Sequence, residues 1–254
     1  MLPPYTISIG ILFNALASAI VALSALALAV FLAQRHQRLT VSMRSYAWFW
    51  ATTVFVWFFS SLRYLIISFG GSDSAAHTLD VAIQIAVFMS GPPLFYYLGN
   101  HLLHNKFVAM IMTGGSVMLG LIGVWFLVQT NGLIMLGTTF FSSESKLNDT
   151  SLLLFNLEAG IIFILLLVDI VTALRRWRVQ NKMVAAYEAL YAGAVIVYLT
   201  LGSIEQSGLI TDWVLVIFRL LYTASFLSVY ILVIEHEASI DTYLVDTTNQ
   251  ELNS

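Results

Sequence analysis

A bundle of seven membrane-crossing helices is the fold class this sequence predicts: an all-α integral membrane protein with its N-terminus outside and its C-terminus in the cytoplasm. Three observations carry the prediction. Hydrophobic residues make up 59% of the chain and charged residues 10%, against roughly 25% charged in soluble domains. Seven apolar runs reach the ~20 residues a helix needs to cross the hydrocarbon core. The connections between the runs alternate between basic and acidic, the asymmetry that sets orientation.

The first run, residues 7–33, exceeds the ~7–15 residues of a signal-peptide core and follows no basic segment, so it reads as a retained helix. Further spans are expected at 46–69, 80–103, 107–128, 151–174, 184–206 and 212–234. Arg35, Arg38 and Arg44 follow the first span, Lys106 the third, and Arg175, Arg176, Arg178 and Lys182 the fifth; these loops are expected in the cytoplasm. In the other connections Lys146 is the sole basic residue, beside Asp73, Asp80, Glu144, Asp149 and Asp212. Those loops are expected outside. Residues 1–234 therefore form the membrane domain, and 235–254 a short acidic cytoplasmic tail with no Lys or Arg. Trp48, Trp50, Trp177 and Trp213 fall near helix ends, where indole rings anchor at the interface.

An ionisable group inside a membrane needs a partner and is a functional candidate by default. Arg63, Glu158 and Arg219 lie about six or seven residues inside their spans, a depth of roughly 10 Å, and Glu205 sits near the outer end of the sixth. Asn14 and Gln84 add amides in the same leaflet. One reading is an outward-opening ligand pocket in which Arg63 or Arg219 grips an anion bidentately. The other is a salt-bridge lock among the four charged groups.

In the third span, Pro92 and Pro93 remove two backbone donors, so a hinge or a fixed kink is expected there. His101 and His104 share a helical face, yet a catalytic zinc site wants about three protein ligands. Only His36 and His236 could join them from that side, so no metal site is assigned. Asp169 and Glu188 read as surface ion-pair partners of Arg175 and Arg176. The longest connection, Gln129 to Thr150, carries the apolar stretch Gly132 to Phe141, which is expected to lie on the interface or to fold over the bundle mouth as a lid. It ends in the short glycosylation pattern Asn148-Asp149-Thr150.

With no cysteine, disulfides, thiolate nucleophiles and Cys-ligated metals are ruled out. No basic patch suits nucleic acid, no nucleophile–base pair marks an enzyme, and no cofactor is implied.

The run Gly91-Pro92-Pro93-Leu94-Phe95-Tyr96-Tyr97-Leu98, leading into Asn100-His101-Leu102-Leu103, and the basic Arg175-Arg176-Trp177-Arg178 resemble the seven-helix sensor regions of bacterial histidine kinases. That resemblance implies a stimulus passed through the seventh helix to a cytoplasmic output, although this chain carries no output domain. The stretch Gly114-Gly115-Ser116-Val117-Met118-Leu119-Gly120 is similar to microbial rhodopsins, which hold retinal on a lysine of the seventh helix. Here the lysines are Lys106, Lys146 and Lys182, none inside a span, so the likeness implies an opsin-like bundle without covalent retinal.

The expectation is a receptor-like or sensory protein of the cell membrane. It binds a small or lipidic ligand in the outer half of the bundle and acts through a separate protein partner. A structural subunit of a larger membrane complex, and a transporter or channel, are the competing classes.

Overall fold

The computed structural model describes residues 7–35, 41–129, 132–177, 182–210 and 212–252. In chain order these form α1 (Ile9–Gln34), α2 (Val41–Ser68), α3 (Asp73–Leu103), α4 (Lys106–Gln129), β1 (Leu133–Thr138), β2 (Ser143–Leu147), α5 (Asp149–Trp177), α6 (Lys182–Gln206) and α7 (Trp213–Leu252). All seven helices are long and apolar enough to cross a membrane, as their composition predicts. A helix satisfies its own backbone groups where no water is present.

The burial pattern is that of a protein solvated by lipid. On α1 the buried positions include Gly10, Asn14, Ala15, Ser18, Ala22 and Ala25, whereas Phe13, Leu16, Ile20 and Leu23 are exposed. A soluble helix turns its large apolar side chains inward. In a membrane, small residues mediate close helix contacts and large ones face the acyl chains.

Successive helices are neighbours, α7 closes the ring against α1, and α3 also touches α5. The α3–α4 turn is tight. His104 takes a left-handed conformation, φ 51°, and Asn105 Oδ1 accepts from the backbone N–H groups of Phe107 and Val108 at 2.9 and 3.3 Å, capping the new helix. Pro92 and Pro93 sit inside α3, which passes through both unbroken. Their missing donors free the carbonyls of Phe88 and Met89, and Gly120 of α4 lies against the Phe88 carbonyl. The segment expected to hinge is thus a buried helix crossing.

Half of the bundle is filled by aromatic rings. Trp50 is completely buried, 5.0 Å from the Phe226 ring and 5.6 Å from Tyr198. Tyr46 meets Tyr97 at 5.0 Å. Most of these pairs are tilted or edge-on, the arrangement that the ring quadrupole favours. Trp48 and Trp213 are exposed at helix ends, as belt anchors are. Trp50 corrects that expectation, because its side of α2 faces α6 and α7 rather than the interface. The side chain of Trp177 lies outside the described residues.

The α4–α5 connection is an antiparallel hairpin. Leu133 pairs with Leu147, and both are buried against Leu127, Phe88 and Phe155. A register shift follows Met135, and Gly137 takes φ 107°, a conformation that side chains rarely adopt. Asn148 then caps α5, its Oδ1 accepting from Ser151 N–H at 2.8 Å. Helix α7 continues past the expected boundary at residue 234 to Leu252, so the acidic tail is an extension of the last span.

Candidate functional site

The hairpin tip is fastened into the bundle. Asn14 Nδ2 donates to the Phe141 carbonyl at 3.1 Å, and Asp212 accepts from Phe141 N–H and Thr139 Oγ1, both at 3.1 Å. The N–H of Asp212 returns a bond to Ser142 Oγ at 3.0 Å. Gly10 lets the chain approach: a Cβ there would collide with the Phe140 carbonyl. Of the two placements expected for this segment, the structure has the second, with the strands folded over one end of the helices.

Beneath the hairpin lies a buried ionic layer. Arg63 Nε sits 2.7 Å from Asp80 Oδ1, and Arg219 Nη1 donates to Glu205 Oε2 at 2.8 Å. Tyr222 donates to the same carboxylate at 3.1 Å. From the hairpin, Glu144 Oε1 accepts from the Tyr64 hydroxyl, which itself lies 3.5 Å from Arg219 Nη2. The Arg219 guanidinium also stacks over Trp57, 4.9 Å from the ring centre. Two guanidinium groups thus meet three carboxyl groups, of which Asp80 and Glu144 are buried and Glu205 is partly exposed. Burial, then the Glu205 charge, pushes the Glu144 carboxyl up to about 7, against the pull of the arginines and of Tyr64.

Next to this layer a cavity of about 80 Å³ opens between α2, α3, α5, α6 and α7. Trp57, Phe155, Tyr198 and Tyr222 form aromatic walls, and Glu158, Glu205, Gln206, Ser60 and Ser90 supply its polar atoms. Glu158 is 4% exposed and accepts from Ser116 of α4. Gly91 packs beneath it, where a Cβ would strike the carboxylate. Gln84 reaches across to Gln206 at 2.8 Å and so ties α3 to the cavity rim.

This geometry redistributes the expected site. Glu158 and Glu205 line the cavity; Arg63, Arg219, Asn14 and Gln84 do not. Each arginine faces a carboxylate, Arg63 through Nε and Arg219 through Nη1, while Arg63 Nη2 and Arg219 Nε have no hydrogen-bond partner among the described residues. Asn14 is a fastener of the hairpin, and Gln84 acts on the cavity through Gln206. Asp80 and Glu144, expected in external loops, are buried partners of Arg63 and Tyr64. Tyr64, Ser116, Gln206 and Tyr222 were not singled out by sequence, because an aromatic or hydroxyl residue in an apolar run carries no pattern of its own.

At the opposite end, Asp169 is 1% exposed, not a surface residue. Its Oδ1 lies 3.4 Å from Nε2 of His101, whose ring stacks on Tyr97. His104 departs from that face at the left-handed end of α3. Among the described residues no three His, Asp or Glu converge as metal ligands. His36, Arg38 and Arg178, with the side chains of Arg176, Lys182, Glu188 and His236, lie outside the described residues. Ser116 and Gly120 of the glycine-rich stretch of α4 contact Glu158 and the Phe88 carbonyl. No family model, curated protein or solved structure matches the chain.

Proposed function

We propose that this chain is a receptor-like protein of the cell membrane that takes a small ligand into the cavity and signals through a separate protein partner. The observation that carries the reading is the cavity itself: a mostly aromatic and aliphatic chamber with a few convergent polar groups, set beside the ionic layer that underlies the hairpin. Ligand sites have that composition.

Orientation supports a signalling direction. The described residues Arg35, Arg44, Lys106 and Arg175 lie at the helix ends away from the hairpin, which by the positive-inside rule favours an external hairpin and a cytoplasmic far end of α7. Helix α7 carries Tyr222 on the cavity wall and Arg219 in the ionic layer, then runs as one helix to Leu252. A ligand that shifts Tyr222 acts on an element that reaches beyond the membrane. The ionic layer serves as the lock that holds the helices in register around the chamber.

Gly202 gives the test, since a Cβ added there meets only the Tyr222 hydroxyl, at 3.9 Å. Gly202→Val fills cavity space from a Cβ position with no backbone atom of another residue within 4 Å outside its own helix turn. Native mass spectrometry of protein extracted from its own membrane is expected to show a small molecule on the wild type that the variant lacks. A bare wild-type mass, or the same adduct on both, overturns the proposal.

A further inference from the structure

Among the described residues, each buried or half-buried carboxyl group in the helix interior and ionic layer faces a cationic or ionisable base except one. Asp80 has Arg63, Glu205 has Arg219, and Asp169 has His101; Glu144 feels both guanidinium groups. Glu158 has the Ser116 hydroxyl and no charged neighbour. It is also the acidic group on the cavity wall that is not already committed to an arginine.

We infer that the cavity binds a compact organic ammonium ion, with Glu158 as its counter-ion and the rings of Trp57, Tyr198 and Tyr222 around its charge. This rests on the proposed ligand-binding reading and names the class of ligand.

Three features of the chamber select this chemistry. First, the charged groups on its rim are acceptors, beside the neutral Gln206, Ser60 and Ser90. Glu158 and Glu205 are carboxyl groups, and Ser90 spends its hydroxyl proton on the Val87 carbonyl at 2.7 Å. An ammonium head has donors alone, whereas an anion would meet two carboxyl groups. Second, the walls are aromatic, with Trp57 and Tyr222 4.4 Å apart and Tyr198 and Tyr222 5.3 Å apart. Ring faces attract a desolvated cation. Third, about 80 Å³ is roughly half the 150 Å³ apolar cavity that takes benzene. The guest is therefore a few heavy atoms: an ammonium on a short branched alkyl group. A hydrated alkali ion matches the charge but not the apolar walls.

The experiment uses the full chain in lipid nanodiscs at pH 7 and ligand-observed NMR with three probes of one shape: isopropylammonium, isopropanol and isobutyrate. The expected order of affinity is ammonium, then alcohol, with no binding of the carboxylate. Glu158→Gln, which keeps the size and still accepts from Ser116, is expected to weaken the ammonium about tenfold or more while leaving isopropanol unchanged. Glu158→Asp, which keeps the charge, is expected to restore the preference.

If isopropanol binds the wild type as well as the ammonium does, or Glu158→Gln leaves the ammonium unaffected, Glu158 is a protonated structural group. The inference then fails, while the cavity remains a site for small guests. Sodium or potassium showing the Glu158-dependent binding in place of the ammonium also overturns it. If no probe enters the wild type, the ligand-binding reading falls with it. Should the Gln variant not fold, the order of the three probes on the wild type still decides.

Discussion

The two ends of the bundle bury different chemistry. At the hairpin end, burial encloses Arg63, Asp80, Glu144 and Arg219, with Glu205 partly exposed beside them; toward the other end it encloses Tyr46, Phe49, Trp50, Tyr191 and Phe226, with Asp169 as a single buried acid. Rings pack in many nearly equivalent ways, so their contribution is spread over every neighbour. Charges in low dielectric tolerate few arrangements, because each needs its own counter-charge within reach. The ionic end therefore specifies which helices meet, and the aromatic end holds them once met. The cavity sits where the two regimes join, with Tyr198 and Tyr222 belonging to both.

The largest effects should expose this difference. Arg219→Met strands Glu205 and removes one of the two cations near Glu144, and is expected to cost about 3–5 kcal/mol, as breaking a buried pair does. Adding Glu205→Met is expected to recover most of that loss, because the uncompensated charge disappears. Phe226→Ala at the aromatic end should cost a similar ~3–5 kcal/mol through the cavity it leaves, and no single partner substitution should rescue it. Reversible unfolding in mixed micelles measures all three. Rescue in neither case, or in both, would erase the distinction between specifying and filling.

The second effect is confined to the ionic end and depends on pH. The Glu144 carboxyl, at about 7 in the folded chain against 4.5 when free, holds its proton more tightly folded than unfolded. Its contribution to stability is complete below pH 4.5 and is lost as pH rises through about 7, a difference of roughly 3 kcal/mol. Hydrogen exchange of the strand amides should therefore accelerate between pH 5 and 8 beyond its intrinsic rise. Glu144→Gln should flatten that dependence and make the hairpin more protected at pH 8.

A smaller effect probes the crossing that supports the hairpin's base. A Cβ at Gly123 would fall 2.6 Å from Cε1 of Phe88, and the ring is fully packed. Gly123→Ala is expected to cost about 1–3 kcal/mol by overpacking. Gly120→Ala, whose Cβ would lie 3.3 Å from the Phe88 carbonyl, should cost less. Thermal unfolding of the pair ranks the two.

The helices were legible because span length and loop charge are properties of runs, and a run survives uncertainty about any one side chain. The site was legible only in part. Arg63, Glu158, Glu205 and Arg219 stood out as charges within spans, yet direction around a helix axis decides partners. Thus Arg63 found Asp80, and Glu158 was left with a serine. Glu144 escaped because an acid in an outer connection reads as solvated, and only a hairpin that turns back into the bundle buries it. The strands themselves lack an alternating pattern: Ile134, Met135 and Leu136 are consecutive and exposed, while Ser143 and Glu144 point inward.

The smallest effect separates the hairpin's tip from its root. Asn14 is fully buried and reaches the Phe141 carbonyl through one hydrogen bond, its own Oδ1 having no partner among the described residues. Asn14→Ala deletes that bond and the unsatisfied oxygen together, so the net cost should be about 0.5–1.5 kcal/mol. It should fall on one place. Amides of residues 139–142 are expected to exchange faster, while those paired between Leu133 and Leu147 stay protected by their packing on Phe88 and Phe155. Equal acceleration along both strands would mean that the hairpin moves as one rigid unit, held by its tip contacts. Acceleration at the tip alone would confine the motion to the Asn14–Phe141–Asp212 junction and leave the ionic layer closed beneath it.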